Sequence, residues 1–349
     1  MHRLILILIL SFVSSNSFAV DITGLYQAQL PVMTQTEEER KKISADVLKE
    51  VLLKVVGDSA ALNSTNLTPI LNQSDQFIRQ YQYHRMNKLS DDLTQPDILE
   101  LQLIFNEDKL NQSITELGLP IWEKSRPEVL LWLAIDNNGR RTIVAEDSID
   151  NAMSHSLKQA LTKRGLPLFM PLIDLRDQMQ LSFADLWAGF SEPILKASQR
   201  YDAQIIVTAR VAINENGAMK IRWQSIRNDK TEQWQSNGND AFYAGISELA
   251  DRTSRQFTQV VRNQDTQRYD LQISNVKGYA DYIRVKQYLS KLHTISDVQL
   301  SNLANDKLEI SILLSSDLSK LNQMIAIGRV LKEQTADHST DVIYYKLIL

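Results

Sequence analysis

The spacing of hydrophobic positions divides the chain into three blocks, of which the last is the most regular. "YDLQISNV" (269–276) sets Tyr269, Leu271 and Ile273 at alternate positions, as one face of a half-buried strand requires. Tyr282, Val285, Leu289 and Leu292 then recur at three and four residues, the stripe of an amphipathic helix. Two strands, "DVQLSNL" and "KLEISILL", flank a turn at Asn305-Asp306, and the second alternates Leu308, Ile310, Ile312 and Leu314. Asp317 stands where it can cap a helix carrying Leu318, Leu321 and Ile325, and "DVIYYKLIL" reads as a closing strand.

The first block follows nearly the same order. "LYQAQLPV" alternates Tyr26, Ala28, Leu30 and Val32. Thr36 and Glu39 form a Thr-x-x-Glu capping box ahead of a helix with Ile43, Val47, Val51, Leu52 and Val55 on one side and Gly57 as terminator. A polar insertion, the strands "QYQYHRM" and "DILELQLIF", and a helix with Leu110, Ile114 and Leu117 complete it. The middle block differs. "RPEVLLWLAID" is apolar without alternation, as a strand covered on both faces is. A helix with Met153, Leu157, Ala160 and Leu161 ends at Gly165, and "LPLFMPLI" reads as a second buried strand. Two short helices, a third strand "AQIIVTARVAI", two antiparallel additions and a long helix from Asp240 to Val261 follow. The expected class is mixed α/β and α+β: two ferredoxin-like βαββαβ domains (20–124 and 267–349) flanking a three-layer α/β module (125–266).

The chain begins "MHRLILILILSFVSSNSFAVDI": basic residues, an apolar run from Leu4 to Leu10, then small residues at Ser17 and Ala19. That order is the pattern of a cleavable secretion signal (1–19) with Ala19 the last residue removed, and the run is far below the ~18–20 residues of a membrane span. With no cysteine, a lipoprotein anchor, a disulfide framework and a thiolate site are all excluded. The mature chain is expected in the periplasm without a membrane span. Loss of Arg3 leaves 37 basic and 42 acidic residues, a net charge of −5, which offers no footprint for nucleic acid.

Candidate chemistry concentrates in "MPLIDLRDQMQLSFADLWAGF" (170–190). Ser182 and Asp185 read as a capping box with an Asp in the acid position, and Leu181 with Leu186 as its hydrophobic staple. Trp187 and Phe190 are expected to pack on the sheet. Asp174 and Asp136 each follow an apolar strand, so both are expected at the carboxyl ends of nearby parallel strands, where open α/β sheets collect ligands. Asp136, Asp174, Arg176 and Asp177 are therefore the candidate ligand-binding cluster, with turn formation the competing duty of such aspartates. No arrangement identifies a catalytic residue. The histidines beyond the signal (His84, His155, His293, His338) lack metal spacing, and no glycine-rich phosphate loop appears, so no metal or cofactor is expected. "YQYHR" offers an aromatic stripe that an alternating strand would turn to the core or to a neighbouring strand.

"LYQAQLPV", "RPEVLLWLAID", "RGLPLFMPLIDLRD", "ADLWAGF" and "YDLQISNVKGYADYIRVKQYL" together resemble, in order from about Gly24 to Leu331, the secreted bacterial family called domain of unknown function 2066. The resemblance implies export and brings with it neither an enzyme activity nor an established partner. In layout the middle block is similar to α/β modules of envelope proteins that bind proteins or build complexes. The expected function is a soluble, non-enzymatic envelope adaptor or assembly factor whose partners are other periplasmic proteins. The alternative is a binding protein for a small molecule or glycan at the carboxyl edge of the central sheet.

Overall fold

The computed structural model describes residues 22–86, 98–149, 151–227, 230–258, 266–334 and 342–348; the expected signal segment and Ala19 lie outside them. Among the described residues the protein is mixed α/β, with three sheets. The first is built from β1 (Gln27–Val32), the long α1 (Glu37–Val56), three short helices α2 (Ser59–Ser64), α3 (Thr68–Leu71) and α4 (Ser74–Phe77), then β2 (Ile78–Met86), β3 (Ile98–Phe105) and α5 (Glu107–Glu116). The strands lie in the order β1-β3-β2, all antiparallel. Val47, Val51, Leu52 and Val55 bury the inner face of α1 against Ala28, Val32, Leu101 and Leu103. Gly57 takes φ +76 at the end of α1, and a Cβ there would stand 2.5 Å from the Trp122 ring. The polar insertion is thus helical: Asp58 caps α2, and α4 leads directly into β2. Tyr83 packs at the edge of this core, whereas Tyr81 is 48% exposed beneath the guanidinium of Arg40.

The central unit comprises β4 (Val129–Asn137), β5 (Arg140–Val144), α6 (Asn151–Arg164), β6 (Leu168–Phe169), α7 (Leu175–Gln180), α8 (Phe183–Ala188), α9 (Ser191–Ser198), β7 (Ile205–Ile213), β8 (Met219–Arg227), β9 (Lys230–Asn237) and α10 (Ala241–Phe257). Residues 129–135 of β4 are all buried, because helices cover both sides. Val129, Leu131 and Leu133 face α6 and α10. Leu130, Trp132 and Ala134 face Leu186, Ile194 and Ala197 of α8 and α9. The sheet runs β5-β4-β7-β8-β9, and β7 is the parallel neighbour of β4.

The second buried strand is much shorter than expected. Only Leu168 and Phe169 pair with β4, opposite Val129 and Leu130. The unforeseen hairpin strand β5 occupies the same edge of β4 from Leu133 onward, and Pro171 has no N–H to give a ladder. The long helix stops at Phe257; residues 259–261 of its expected span lie outside the described residues.

The last unit holds β10 (Gln267–Ser274), α11 (Tyr279–Ser290), β11 (Ile295–Ala304), β12 (Lys307–Leu314), α12 (Leu318–Gly328), β13 (Leu331–Glu333) and β14 (Val342–Leu347). Its order is β11-β12-β10-β14-β13. The alternating Leu308, Ile310, Ile312 and Leu314 are all buried against Val285, Leu289 and Leu321. The closing strand departs from the six-element plan: β14 runs parallel to β10, and the additional strand β13 lies outside it. In the first unit, likewise, the described sheet has three strands rather than four.

Candidate functional site

The segment from Pro171 to Tyr201 forms the face of the central sheet that carries α7, α8 and α9. Asp174 is the N-cap of α7, its Oδ1 accepting from the Asp177 amide at 3.1 Å. Asp177 points inward and is 1% exposed. Its carboxylate accepts from Arg200 Nη1 at 3.2 Å and from the Tyr201 hydroxyl at 2.5 Å. The same Arg200 nitrogen reaches both oxygens of Asp174, at 2.7 and 2.9 Å. Tyr201 also accepts from the Leu172 amide at 3.0 Å. Burial, then the bond to Asp177, pushes the Tyr201 hydroxyl up to about 12. The bond from Arg200 holds the Asp174 carboxyl below its ordinary range. This is a brace that fastens α7 to the end of α9.

Of the four expected ligand residues, the structure brings together Asp174 and Asp177. Arg176 is exposed, and Arg200 takes the partnership its position suggested. Asp136 belongs elsewhere: it accepts from the Gly139 amide and from Arg141 Nε, both at 2.9 Å, closing the β4–β5 hairpin. The Arg141 bond lowers its carboxyl as well. No hydrogen bond or ion pair among the described residues joins Asp136 to Asp174 or Asp177. The expectation of two nearby parallel strand ends is corrected by the early end of β6: four residues separate Phe169 from Asp174, and on the edge of β4 that β6 leaves, the neighbour of Asp136 is the antiparallel β5, with the parallel β7 on the opposite edge.

The capping residues sit at helix starts. Thr36 Oγ1 accepts from the Glu39 amide at 3.4 Å, while Glu39 reaches past it to the amides of Met33 and Thr34 at 2.7 and 2.6 Å. Ser182 accepts from the Asp185 amide at 3.1 Å and donates to the Asp185 carboxylate at 2.6 Å, with Leu181 and Leu186 buried as a pair. Phe190 does not pack on the sheet and is 59% exposed: Gly189, at φ +79, ends α8 and turns the chain away. Trp187 stacks on Phe183 at 5.3 Å.

What the brace presents outward is apolar. Leu172, Leu175 and Met179 are 68%, 72% and 79% exposed. Leu175 and Met179 are four apart and so share one face of α7. Arg200 and Tyr201 were missed in the sequence because they lie more than twenty residues from their partners, and no local pattern connects them.

A cavity of about 780 Å³ separates the outer face of the first sheet from α6; its wall includes Glu100, Gln102, His155 and Lys158, and none of the expected acids. The free edge of β1 along it is guarded. Pro31 has no N–H, and the buried Lys54 donates to the carbonyls of Gly24 and Gln27. Burial pulls the Lys54 amine down to about 8. Among the described residues no group of three His, Asp or Glu side chains is placed to hold a metal ion.

Fold and site together define a mixed α/β protein with an apolar helix face braced by buried polar groups. A family model described as "Domain of unknown function (DUF8605)" matches residues 19–123, the first unit; it is a different family from the one the motifs resemble. No curated protein matches. Among solved structures the chain is similar to the N-terminal domain of Thermus thermophilus Protein Y, at 8% identity over 37% of this chain and 94% of that one, with a TM-score of 0.18. A structure titled only as an uncharacterized protein matches at 10% identity over 38% of this chain and 95% of that one, with a TM-score of 0.14. Likeness at that level carries no argument.

Proposed function

We propose that the protein is an exported, non-enzymatic adaptor of the bacterial envelope that docks a protein partner on α7. The observation that carries this reading is the outward face of that helix. Leu175 and Met179 are exposed although Asp177, Arg200 and Tyr201 hold the helix rigidly from behind. An apolar face held in place is preorganised for a partner, since little side-chain and backbone ordering remains to be done on binding. Arg176, exposed on the same helix, suits a partner with an apolar centre and an acidic rim. No helix among the described residues is long and apolar enough to cross a membrane, and Asp174 and Asp177 are engaged in a cap and a brace. The two outer units are variants of the ferredoxin-like plan on this proposal, supported by the β-α-β-β-α order they share.

The test is a photo-crosslinking residue placed at 175 or 179 in the native envelope, with position 38 on the exposed start of α1 as control. One protein should be captured from both α7 positions and lost when Leu175→Glu and Met179→Glu are combined with a crosslinker at 172. Crosslinking at 175 and 179 no more selective than at 38 would refute the docking face.

A further inference from the structure

Between the central sheet and the last unit lies a second cavity, of about 380 Å³, bounded by the ends of β8 and β9, by α10 and by α12. Its wall carries four cationic side chains, Arg227, Lys230, Arg252 and Lys320, against one acid, Glu232. Arg252 is already neutralised, because its Nη1 donates to Glu232 at 3.0 Å and its Nε to Glu248 at 2.7 Å. Among the described residues neither Arg227 nor Lys320 has an ion pair of its own. Arg227 lies over the Phe257 ring at 4.6 Å, which orients the guanidinium plane. Its Nη1 is buried and has no hydrogen-bond partner among the described residues. Lys320 donates to the Gln256 carbonyl, so two of its three N–H groups remain for other acceptors. Lys230 stands opposite Arg227 in the β8–β9 ladder and adds a third positive charge at the rim.

These cations work against each other in the unliganded protein. Burial lowers the basicity of Arg227 and of Lys320, and the Arg227 charge lowers Lys320 further, with Asp317 offsetting part of the effect. Like charges held in a half-closed site, one bearing an unmatched N–H, are unfavourable until an anion enters. A guanidinium supplies a planar fork and an ammonium a compact point charge, a pair that suits the several oxygens of a phosphoryl dianion. The Ser225 hydroxyl on the wall can supply a neutral donor, whereas that of Thr253 is committed to the Leu249 carbonyl at 2.7 Å. The volume exceeds what a bare phosphate needs and falls within the range of small-molecule sites.

We propose that this cavity binds a small phosphate-bearing molecule, with its phosphoryl group held between Arg227 and Lys320. The site is independent of the α7 face. The protein would be titrated with inorganic phosphate and with pyrophosphate, at an ionic strength held constant with chloride, and followed by calorimetry and thermal melting. Pyrophosphate at a hundred times its Kd should raise the Tm by about 3–4 °C. Arg227→Gln and Lys320→Gln should each weaken binding at least about tenfold, the loss of one charge-assisted hydrogen bond. Lys158→Gln, on α6, should leave it unchanged. If Arg227→Gln lowers the unliganded Tm, the Lys320→Gln titration alone decides. Failure of both anions to stabilise the protein, or affinity unaltered by either substitution in the cavity, overturns the assignment.

Discussion

Asp177 shows how one side chain can be picked out by a short motif while its partners stay hidden. In "DLRD" it stands three residues after Asp174, the position at which a capping-box acid turns back to its own helix start. The helix start is capped, but by Asp174; the Asp177 carboxylate goes the other way, to Arg200 and Tyr201. Asp177→Ala leaves the Tyr201 hydroxyl proton and one Arg200 contact without their acceptor in a partly buried place, and should cost about 1–3 kcal/mol in chemical denaturation. Leu175→Glu with Met179→Glu touches no core contact and should change stability by less than about 0.5 kcal/mol for each site. Caps were legible at this scale because each joins residues three apart, as at Thr36 and Ser182. The brace was not, because folding alone brings residue 177 to residues 200 and 201.

At the scale of elements, the periods of two and of three to four located most long helices and strands, since burial on one face enforces them. They failed where no face is buried or where something else fills an edge. "RRTIV" of β5 has no apolar alternation and is exposed for three of its five residues, so nothing in its pattern marks a strand. "LPLFMPLI" looks like a strand, yet β5 excludes most of it from the sheet. The packing of α10 on β8 rests on a further detail that hydrophobicity does not report. Gly245 lies against the indole of Trp223, where an added Cβ would fall 2.1 Å from Cε2. Trp223 cannot give way easily: it is fully buried, stacked on Trp234 at 6.1 Å, and bonded through Nε1 to Ser236. Gly245→Ala improves helix propensity by about 1 kcal/mol, but overpacking costs more, so a net loss of about 2 kcal/mol is expected in urea unfolding.

Over the whole molecule, buried polar groups tie the three units into one body. Arg126 is 1% exposed and donates to the carbonyls of Lys54, Trp122, Glu123, Arg164 and Gly165. Arg164 meets Asp251 at 2.5 Å and the Gly57 carbonyl at 2.6 Å, and Asp251 accepts from the Ser59 amide. Glu123 accepts from the His293 amide at 2.7 Å, while the His293 ring meets Asn111 at 3.0 Å. Burial raises the Glu123 carboxyl to about 8. The folded protein therefore binds a proton that the unfolded chain, titrating near 4.5, releases. Stability from this group is complete below about pH 4.5, falls as pH rises and is gone above about 8. Burial lowers His293, which acts with the opposite sign: its contribution is lost as pH falls through the ordinary histidine range. Glu123→Gln keeps the acceptor for His293 and removes the titration. The Tm of the variant relative to the parent should therefore climb steadily between pH 5 and 8; a constant difference would mean that Glu123 is charged in the folded protein. The late strand β14 has a consequence of another kind. It is seated between β10 and β13 and joins Tyr345 and Leu347 to a core whose other members all precede it in the chain. While the polypeptide is still emerging from the ribosome, that slot stands empty, with a strand edge on either side of it. Nascent molecules crowded together are then open to filling one another's slots, the β14 segment of one chain locking into its neighbour, and a stop codon ahead of Val342 would leave the gap permanently open to such exchange.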